Sequence, residues 1–350
     1  MGQTGFVLIS DALGLWDPEP GWLNTASYGL PPRTTIDAMH AAMDEWRRGV
    51  GPWTTWDLST GRARAAFARL VGAPTDDVAI GASVSSLLSV VAAALPAGAR
   101  VVVPEIEFTS NLFPWLVHAD RGVRVDAVPA GKLVDTIDAD TDLVAFSVVQ
   151  SATGEVTAVD DVIAAARRHG ALVVGDASQA AGWLPVTATR FDVLVCAGYK
   201  WLMTPRGAAF GYLSPAVRDR FRPLQANWYA GEHVHDSYYG PSMRLAASAR
   251  RFDLSPAWFS YVGAAPSIEL LAEIGVDAVR DHNVALANRF RAGLGLPPGD
   301  SAIVSVDRPD ATERLAVAGV RAAVRDGRLR ASFHLYTTEA DVDRALDALV

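Results

Sequence analysis

ALVVGDASQAAGWLPVTATRFDVLVCAGYKWLMTPRG, residues 171–207, holds two apolar runs that stop on polar residues. The first, ALVVGDAS at 171–178, ends on Asp176, with Gln179 just beyond it. The second, FDVLVCAG at 191–198, is followed two residues later by Lys200. Neither run alternates apolar with polar residues, so each reads as a strand covered on both faces, as in a parallel sheet. Working outward, VVVPE (101–105), VRVDAVP (123–129) and DLVAFSVVQ (142–150) precede them and GAAFGYLS (207–214) follows. Helical stretches separate several of these runs: 110–120, and DDVIAAARRHG, which ends at Gly170 with basic residues in its last turn. The pattern predicts an α/β fold with a mostly parallel sheet. Such sheets bind ligands at the carboxyl ends of their strands.

Past residue 245 the pattern changes. PSIELLAEIG and VDAVRDHNVALANRFRAGL read as helices, AIVSV and RLRASFHLY bring short strands, and Thr338 is an N-cap for a last helix, TEADVDRALDALV. GLPPGD at 295–300 is a loop. We therefore expect a large domain over 26–245 and a smaller α+β domain built from 1–25 and 246–350. At 350 residues, half of them hydrophobic, the chain is long enough for both.

Composition excludes several classes. The net charge is −8 and there is no basic run, which argues against a nucleic-acid surface. No apolar run reaches the roughly 18 residues of a membrane span. The N-terminal MGQTGFVLISDALGLWDPEP has early acids and no basic leader, so it is a poor signal peptide, and a cytoplasmic location is expected. Cys196 is the only cysteine, which rules out an intrachain disulfide and a Cys-based metal cluster.

Four features gather at the expected ligand edge: Asp176 with Gln179; Lys200 in the apolar setting CAGYKWLM; Gln150 with Ser151; and SVSS from Ser83, which opens the apolar helix 87–95. Each also has a plain structural reading, as a turn residue, a solvated lysine or a simple N-cap. Taken together they call for one ligand. A helix start with serines binds phosphate. A buried lysine has a lowered pKa and attacks carbonyl carbon. A carboxylate pairs with a protonated ring nitrogen. Pyridoxal 5′-phosphate (PLP) meets all three demands.

GDASQAAG (175–182), AGYKWLMTPRG (197–207), EFTSNLFPW (107–115) and RASFHLYTTEADVDR (330–344) resemble the class V aminotransferase family, in the branch of cysteine desulfurases, kynureninases and C–S lyases. The resemblance implies the fold of type I PLP enzymes and a homodimer with active sites at the interface. It implies that Lys200 forms the Schiff base with PLP and moves the Cα proton, and that Asp176 pairs with the pyridinium. Gln179 would bond the ring hydroxyl, Phe108 would stack on the ring, and Val84, Ser85 and Tyr199 would hold the phosphate. Ser255, in RFDLSP, matches a position that reaches the phosphate of the partner subunit. Arg330 would clamp the substrate carboxylate, with Ser27, Tyr28 and Ser151 lining the substrate side. Phe108 and Arg330 also have core and surface readings.

Two further clusters stay open. His233 and His235 sit two apart, a spacing that can bind metal on a strand, but no third ligand is apparent, so no metal site is expected. Trp53, Trp56, Trp228 and Tyr229 either rim a substrate pocket or plug the core.

For the reaction, desulfurases of this resemblance carry a nucleophilic cysteine shortly before the residue matching Arg330. Here AVAGVRAAVRDGRLR (316–330) has none. β-Elimination from a cysteine conjugate or related amino acid is the favoured expectation. Transamination, epimerisation or other Cα chemistry, and a non-catalytic PLP-fold protein are the alternatives.

Overall fold

In the computed structural model, which describes residues 9–350, the apolar runs become the strands of one sheet. These are β1 (Val78–Gly81), β2 (Arg100–Pro104), β3 (Arg124–Val128), β4 (Leu143–Ser147), β5 (Leu172–Asp176), β6 (Val193–Ala197) and β7 (Ala209–Leu213). Their order is β1-β7-β6-β5-β4-β2-β3. β3, β2, β4, β5 and β6 are parallel; β7 alone runs the other way, pairing antiparallel with β6 on one side and with β1 on the other. β4, β6 and β7 are buried along their whole length, as continuous apolar sequence requires. The four-residue β1 is too short to stand out in sequence. It forms because β7 offers a free edge to Val78, Ala79, Ile80 and Gly81.

The sheet is wound both ways. From β2 the chain crosses to β3 on one side, whereas from β4 it crosses to β5 on the other. The crevice between the ends of β2 and β4 is therefore the topological switch point, where open α/β sheets bind ligands. Phe108 follows β2, and Gln150 and Ser151 follow β4. The register brings Ser147 level with Asp176, and Asp176 level with Val195, so three strand ends open on the same edge.

A second, antiparallel sheet has the order β8-β10-β9, from β8 (Ile303–Val306), β9 (Ala323–Arg325) and β10 (Arg328–Ser332). The helices Val276–Gly293 and Glu339–Leu349 share its core through Leu286, Phe290, Val304, Leu329, Phe333 and Val342. Thr338 caps the last helix in a reciprocal pair with Asp341. The helix Trp258–Ile274, which the sequence pattern groups with this smaller unit, packs instead on the core of the large sheet through Tyr261, Ala264, Ile268 and Leu271. Of the 1–25 segment, residues 1–8 lie outside the described residues. Its end threads along the small sheet: Leu23 N–H donates to Arg321 O (2.9 Å) and Ala26 N–H to Ser332 Oγ (2.9 Å). It then meets the large sheet, where Gly29 N–H donates to Tyr199 O (2.9 Å). Position 29 must be glycine, because a Cβ would overlap the carbonyl oxygen of Lys200. No helix of the described residues is long and apolar enough to cross a membrane.

Candidate active site

β6 delivers Lys200 into the interior. The tight turn after the strand buries its side chain to 6% exposure, its Nζ 5.2 Å from the centre of the Phe108 ring and 5.8 Å from that of Tyr199. Burial lowers the Lys200 ammonium to about 8; Asp176 pulls it back up, and Arg330 and Arg206 push it further down. A neutral amine is thus available near physiological pH, whereas an ordinary lysine titrates near roughly 10.4. The rate at which the cofactor-free protein condenses with an aldehyde should therefore climb about tenfold per pH unit and level off near pH 8. Stopped-flow absorbance at a series of pH values checks this; a rise that continues to pH 10 contradicts it. Linkage sets the matching stability trend. The folded value lies below the unfolded one, so between about 8 and 10.4 the unfolded chain binds more protons, and stability rises with pH across that window.

Asp176 ends β5 and is buried, its Oδ1 accepting from Ser178 N–H (2.8 Å). Burial pushes its carboxyl up, against the opposing pull of the Ser178 bonds and Lys200. Asp176 and Lys200 line a cavity of about 170 Å³ together with Ser83, Val84, Phe108, Ser110, Ser178, Tyr199, Arg206 and Gly207. Two cavities of about 390 Å³ lie elsewhere and lack a lysine.

The start of the helix Val84–Ala93 lines the same cavity. Ser83 caps it, its Oγ accepting from Ser86 N–H (3.2 Å), and Ser85 Oγ lies 3.2 Å from Ser83 Oγ. The N–H groups of Val84 and Ser85 belong to the first turn, where no carbonyl of the helix reaches them. Phe108 is 43% exposed, its ring facing the cavity, so it is not core.

The residues expected on the substrate side form a second group. Arg330, on β10, is 1% exposed. Its Nη1 donates to Ser151 O (2.6 Å) and Ser151 Oγ (3.2 Å), and its Nη2 to Ser27 Oγ (2.9 Å), while its Nε has no partner. Burial and the neighbouring Arg325 lower its guanidinium to about 10. Arg325 also donates to Ser27 Oγ (3.2 Å). Tyr28 is half exposed, its ring against Trp22.

Other expectations meet a different arrangement. Gln179 spends its amide on the protein: Nε2 donates to Ala26 O and Ser151 Oγ (both 3.0 Å), and Oε1 accepts from Trp201 Nε1 (2.8 Å). It braces Ser151 and the segment after Lys200 rather than lining the cavity. Ser255, expected to reach a partner subunit's site and not this one, is exposed and lies outside this chain's cavity. Trp53, Trp56, Trp228 and Tyr229 do not rim it either. Trp53 stacks on Trp258 (5.1 Å between ring centres) and meets Trp228 edge-on, Trp56 packs on Phe259, and Tyr229 lies against Trp228. His235 bonds Tyr238 (2.9 Å), and no group of three His, Cys, Asp or Glu among the described residues is placed to hold a metal ion.

Three residues passed over in the sequence shape the site. Glu107, buried, accepts from Ser147 N–H (2.7 Å), Phe108 N–H (2.9 Å), Gln150 Nε2 (3.4 Å) and the Ser147 hydroxyl, so it pins the loop after β2 to the end of β4. Burial pushes its carboxyl up. His334 donates from Nε2 to Trp201 O (3.0 Å) and ties β10 to the residue after Lys200; burial lowers it to about 3, so it is neutral. Arg206 faces the cavity over the Tyr199 ring. A glutamate in EFTSN and an arginine in TPRG were visible signals, but nothing local marks either as inward-facing.

The donor set fits PLP. A buried lysine of lowered pKa, a buried carboxylate and a serine-capped helix start line one cavity, and the unpartnered Nε of Arg330 and Oε1 of Gln150 are polar atoms left for a ligand or water.

Comparison with known proteins agrees. The chain is 30% identical to the uncharacterized aminotransferase YcbU of Bacillus subtilis over 309 residues, 82% of each protein. It is 27% identical to the isopenicillin N epimerase of Streptomyces clavuligerus, over 96% of this chain and 95% of that one. Among solved structures, the cystine C–S lyase C-DES, as a variant with glycine covalently linked to its PLP cofactor, superposes with a TM-score of 0.86 at 20% identity over 97% of each chain. The model of the aminotransferase class-V family matches residues 57–318, and the chain belongs to that family.

Proposed function

We propose that this class-V enzyme catalyses β-elimination from a cysteine conjugate or related amino acid, without a cysteine nucleophile. Family membership implies PLP as cofactor and an amino acid as substrate. When bound, PLP supplies an aldehyde for amines and a ring that draws electrons from the substrate's Cα. The chain supplies the rest. Lys200 would take the Cα proton, Asp176 would keep the ring nitrogen protonated, and Phe108 would cover the ring. Val84, Ser85 and Tyr199 would hold the phosphate. Arg330 turns from Ser151 and Ser27 to the substrate carboxylate, with Tyr28 beside it. Gln179 supports this side through Ser151.

The observation that carries the choice of reaction is the state of the only thiol. Cys196 is 1% exposed within β6, and burial pushes its thiol well up, so it stays protonated and shielded. Desulfuration through a protein persulfide lacks its nucleophile. Elimination needs only a base at Cα and a leaving group at Cβ, and Lys200 is that base.

The test is a panel of cysteine conjugates, cysteine sulfoxides and common amino acids, each with and without pyruvate. Pyruvate and ammonia formed with no keto acid present is the expected result. Strict dependence on a keto acid identifies a transaminase. Exchange of the Cα hydrogen with inversion and no cleavage identifies an epimerase, the activity in the name of the Streptomyces relative. A purified wild type with no absorbance band near the visible edge, and none after PLP is added, sinks the enzyme reading altogether.

The same reading takes the protein as a homodimer in which the exposed Ser255 reaches the partner's phosphate site. Sedimentation of the PLP-loaded protein as a monomer contradicts it.

A further inference from the structure

Residues 198–208 form a closed loop. Gly198 N–H donates to Ala208 O (3.0 Å), Thr204 N–H to Gly198 O (3.2 Å) and Met203 N–H to Lys200 O (3.1 Å). Met203 takes a positive φ of 55°, uncommon for a side chain of its size, so the surrounding packing holds the turn in one shape. Lys200 sits on one arm of this loop and Arg206 on the other. The Arg206 backbone is fixed by a hydrogen bond from Ser260 Oγ to its carbonyl (2.7 Å). Next to it, Gly207 has φ +98°, and a Cβ there would come within 2.8 Å of Ser260 Oγ. Thr204 Oγ1 donates to Pro205 O (3.0 Å), which stiffens the same turn.

This rigid turn presents an arginine with no protein counter-ion. Its guanidinium carbon lies 4.0 Å from the centre of the Tyr199 ring, a cation–π contact that sets its direction. Among the described residues it makes no ion pair. It lines the same cavity as Ser83, Val84, Tyr199 and Lys200.

Charge balance says what it is for. A phosphate ester carries about −1.5 to −2 at neutral pH. The helix start contributes roughly half a positive charge, and the serine hydroxyls offer hydrogen bonds and no charge. Lys200 is committed to the aldehyde end and Arg330 to the Ser27 and Ser151 side. Arg206 is then the full positive charge left on this cavity. We propose that Arg206 is the cationic anchor of the cofactor's phosphate, acting from the same chain as Lys200. This rests on the reading of the cavity as a PLP site and adds to it a residue that the helix start and Tyr199 do not supply.

The experiment compares two aldehydes on cofactor-free protein: PLP, and pyridoxal, which has the same ring and aldehyde but no phosphate. Dissociation constants are read from the absorbance or fluorescence change on binding, so no turnover is needed. Arg206→Ala should weaken PLP about 10- to 100-fold, as expected for loss of charge-assisted hydrogen bonds. It should leave pyridoxal within about twofold, collapsing the preference for the phosphorylated form. Arg206→Lys keeps the charge and should keep most of that preference. Inorganic phosphate should compete with PLP, and not with pyridoxal, in the wild type, and should compete less with PLP in Arg206→Ala. Equal weakening of PLP and pyridoxal, or of neither, overturns the role of Arg206 while the cofactor reading stands. A wild type that binds neither aldehyde overturns the cofactor reading, and this proposal with it. If Arg206→Ala does not fold, the ratio is read from Arg206→Gln, which should lose the preference, against Arg206→Lys, which should keep it; identical PLP preference in those two overturns the proposal.

Discussion

Replacing Lys200 by alanine should abolish the absorbance band that PLP gives at the visible edge when it is bound to the wild type, and should lower turnover by at least about 10³- to 10⁴-fold. In the proposed function two roles would disappear with one side chain: the amine that captures the cofactor aldehyde, and the base for the substrate's Cα proton. The surroundings do not replace it. The other titratable side chains lining the cavity are Asp176, whose carboxyl burial pushes up, Tyr199 and Arg206. PLP should still associate with Lys200→Ala, because the helix start, Asp176 and Phe108 remain, but as the free aldehyde. The spectrum separates this from unfolding: a variant that binds PLP in a wild-type-like spectral form, or that keeps more than about 1% of turnover, contradicts the assignment.

The second large effect concerns stability. Arg64 and Asp253 form a buried ion pair, their side chains 6% and 0% exposed. Arg64 Nη2 donates to Asp253 Oδ2 (2.5 Å), and its Nη1 donates to Asp253 Oδ1 (3.1 Å) and Val78 O (2.6 Å). Ile80 N–H also donates to Asp253 (2.8 Å). The pair joins the helix Trp53–Leu70 to β1 and to the segment that carries Ser255. Arg64→Met leaves a carboxylate buried with one backbone donor, and should cost about 3–5 kcal/mol, read as a fall in the denaturant midpoint at pH 7. Replacing both partners, Arg64→Met with Asp253→Leu, should restore most of the loss, since no uncompensated charge remains. The pH dependence gives a further check. Burial already pushes the Asp253 carboxyl up against the pull of Arg64. Without Arg64 it rises further, so the folded chain binds the extra proton first and the deficit of Arg64→Met should shrink as pH falls. A deficit that grows on acidification contradicts this account.

Strands β2 to β7 are legible because apolar runs of five or so residues, punctuated by glycine and helical periodicity, have few other readings, whereas the short β1 and β9 are not. The strand ends were legible for a related reason: a polar residue at the close of a buried run must face the ligand edge, and Asp176 and Lys200 do. Gln179 shows where that reasoning stops. Its position near the strand end was visible, yet its amide is taken up by Ala26, Ser151 and Trp201, three partners up to 153 residues away in the chain. The tryptophans behave likewise. Composition marks them as large and amphipathic, but whether Trp53 lines a pocket or stacks on Trp258 depends on how the helices Trp53–Leu70 and Trp258–Ile274 pack.

Lys200, where the reading began, thus divides what each level settles. By itself the sequence determined the α/β class, the mostly parallel sheet, and a lysine and an aspartate at neighbouring strand ends, because these follow from local periodicity and from the alignment of parallel strands. Only the tertiary structure decided that burial lowers Lys200 to about 8, that Glu107 pins Phe108 beside it, and that Arg206 faces the same cavity across a closed loop. Burial, counter-ions and hydrogen-bond partners depend on which distant segments pack together, and that is a property of the assembled chain.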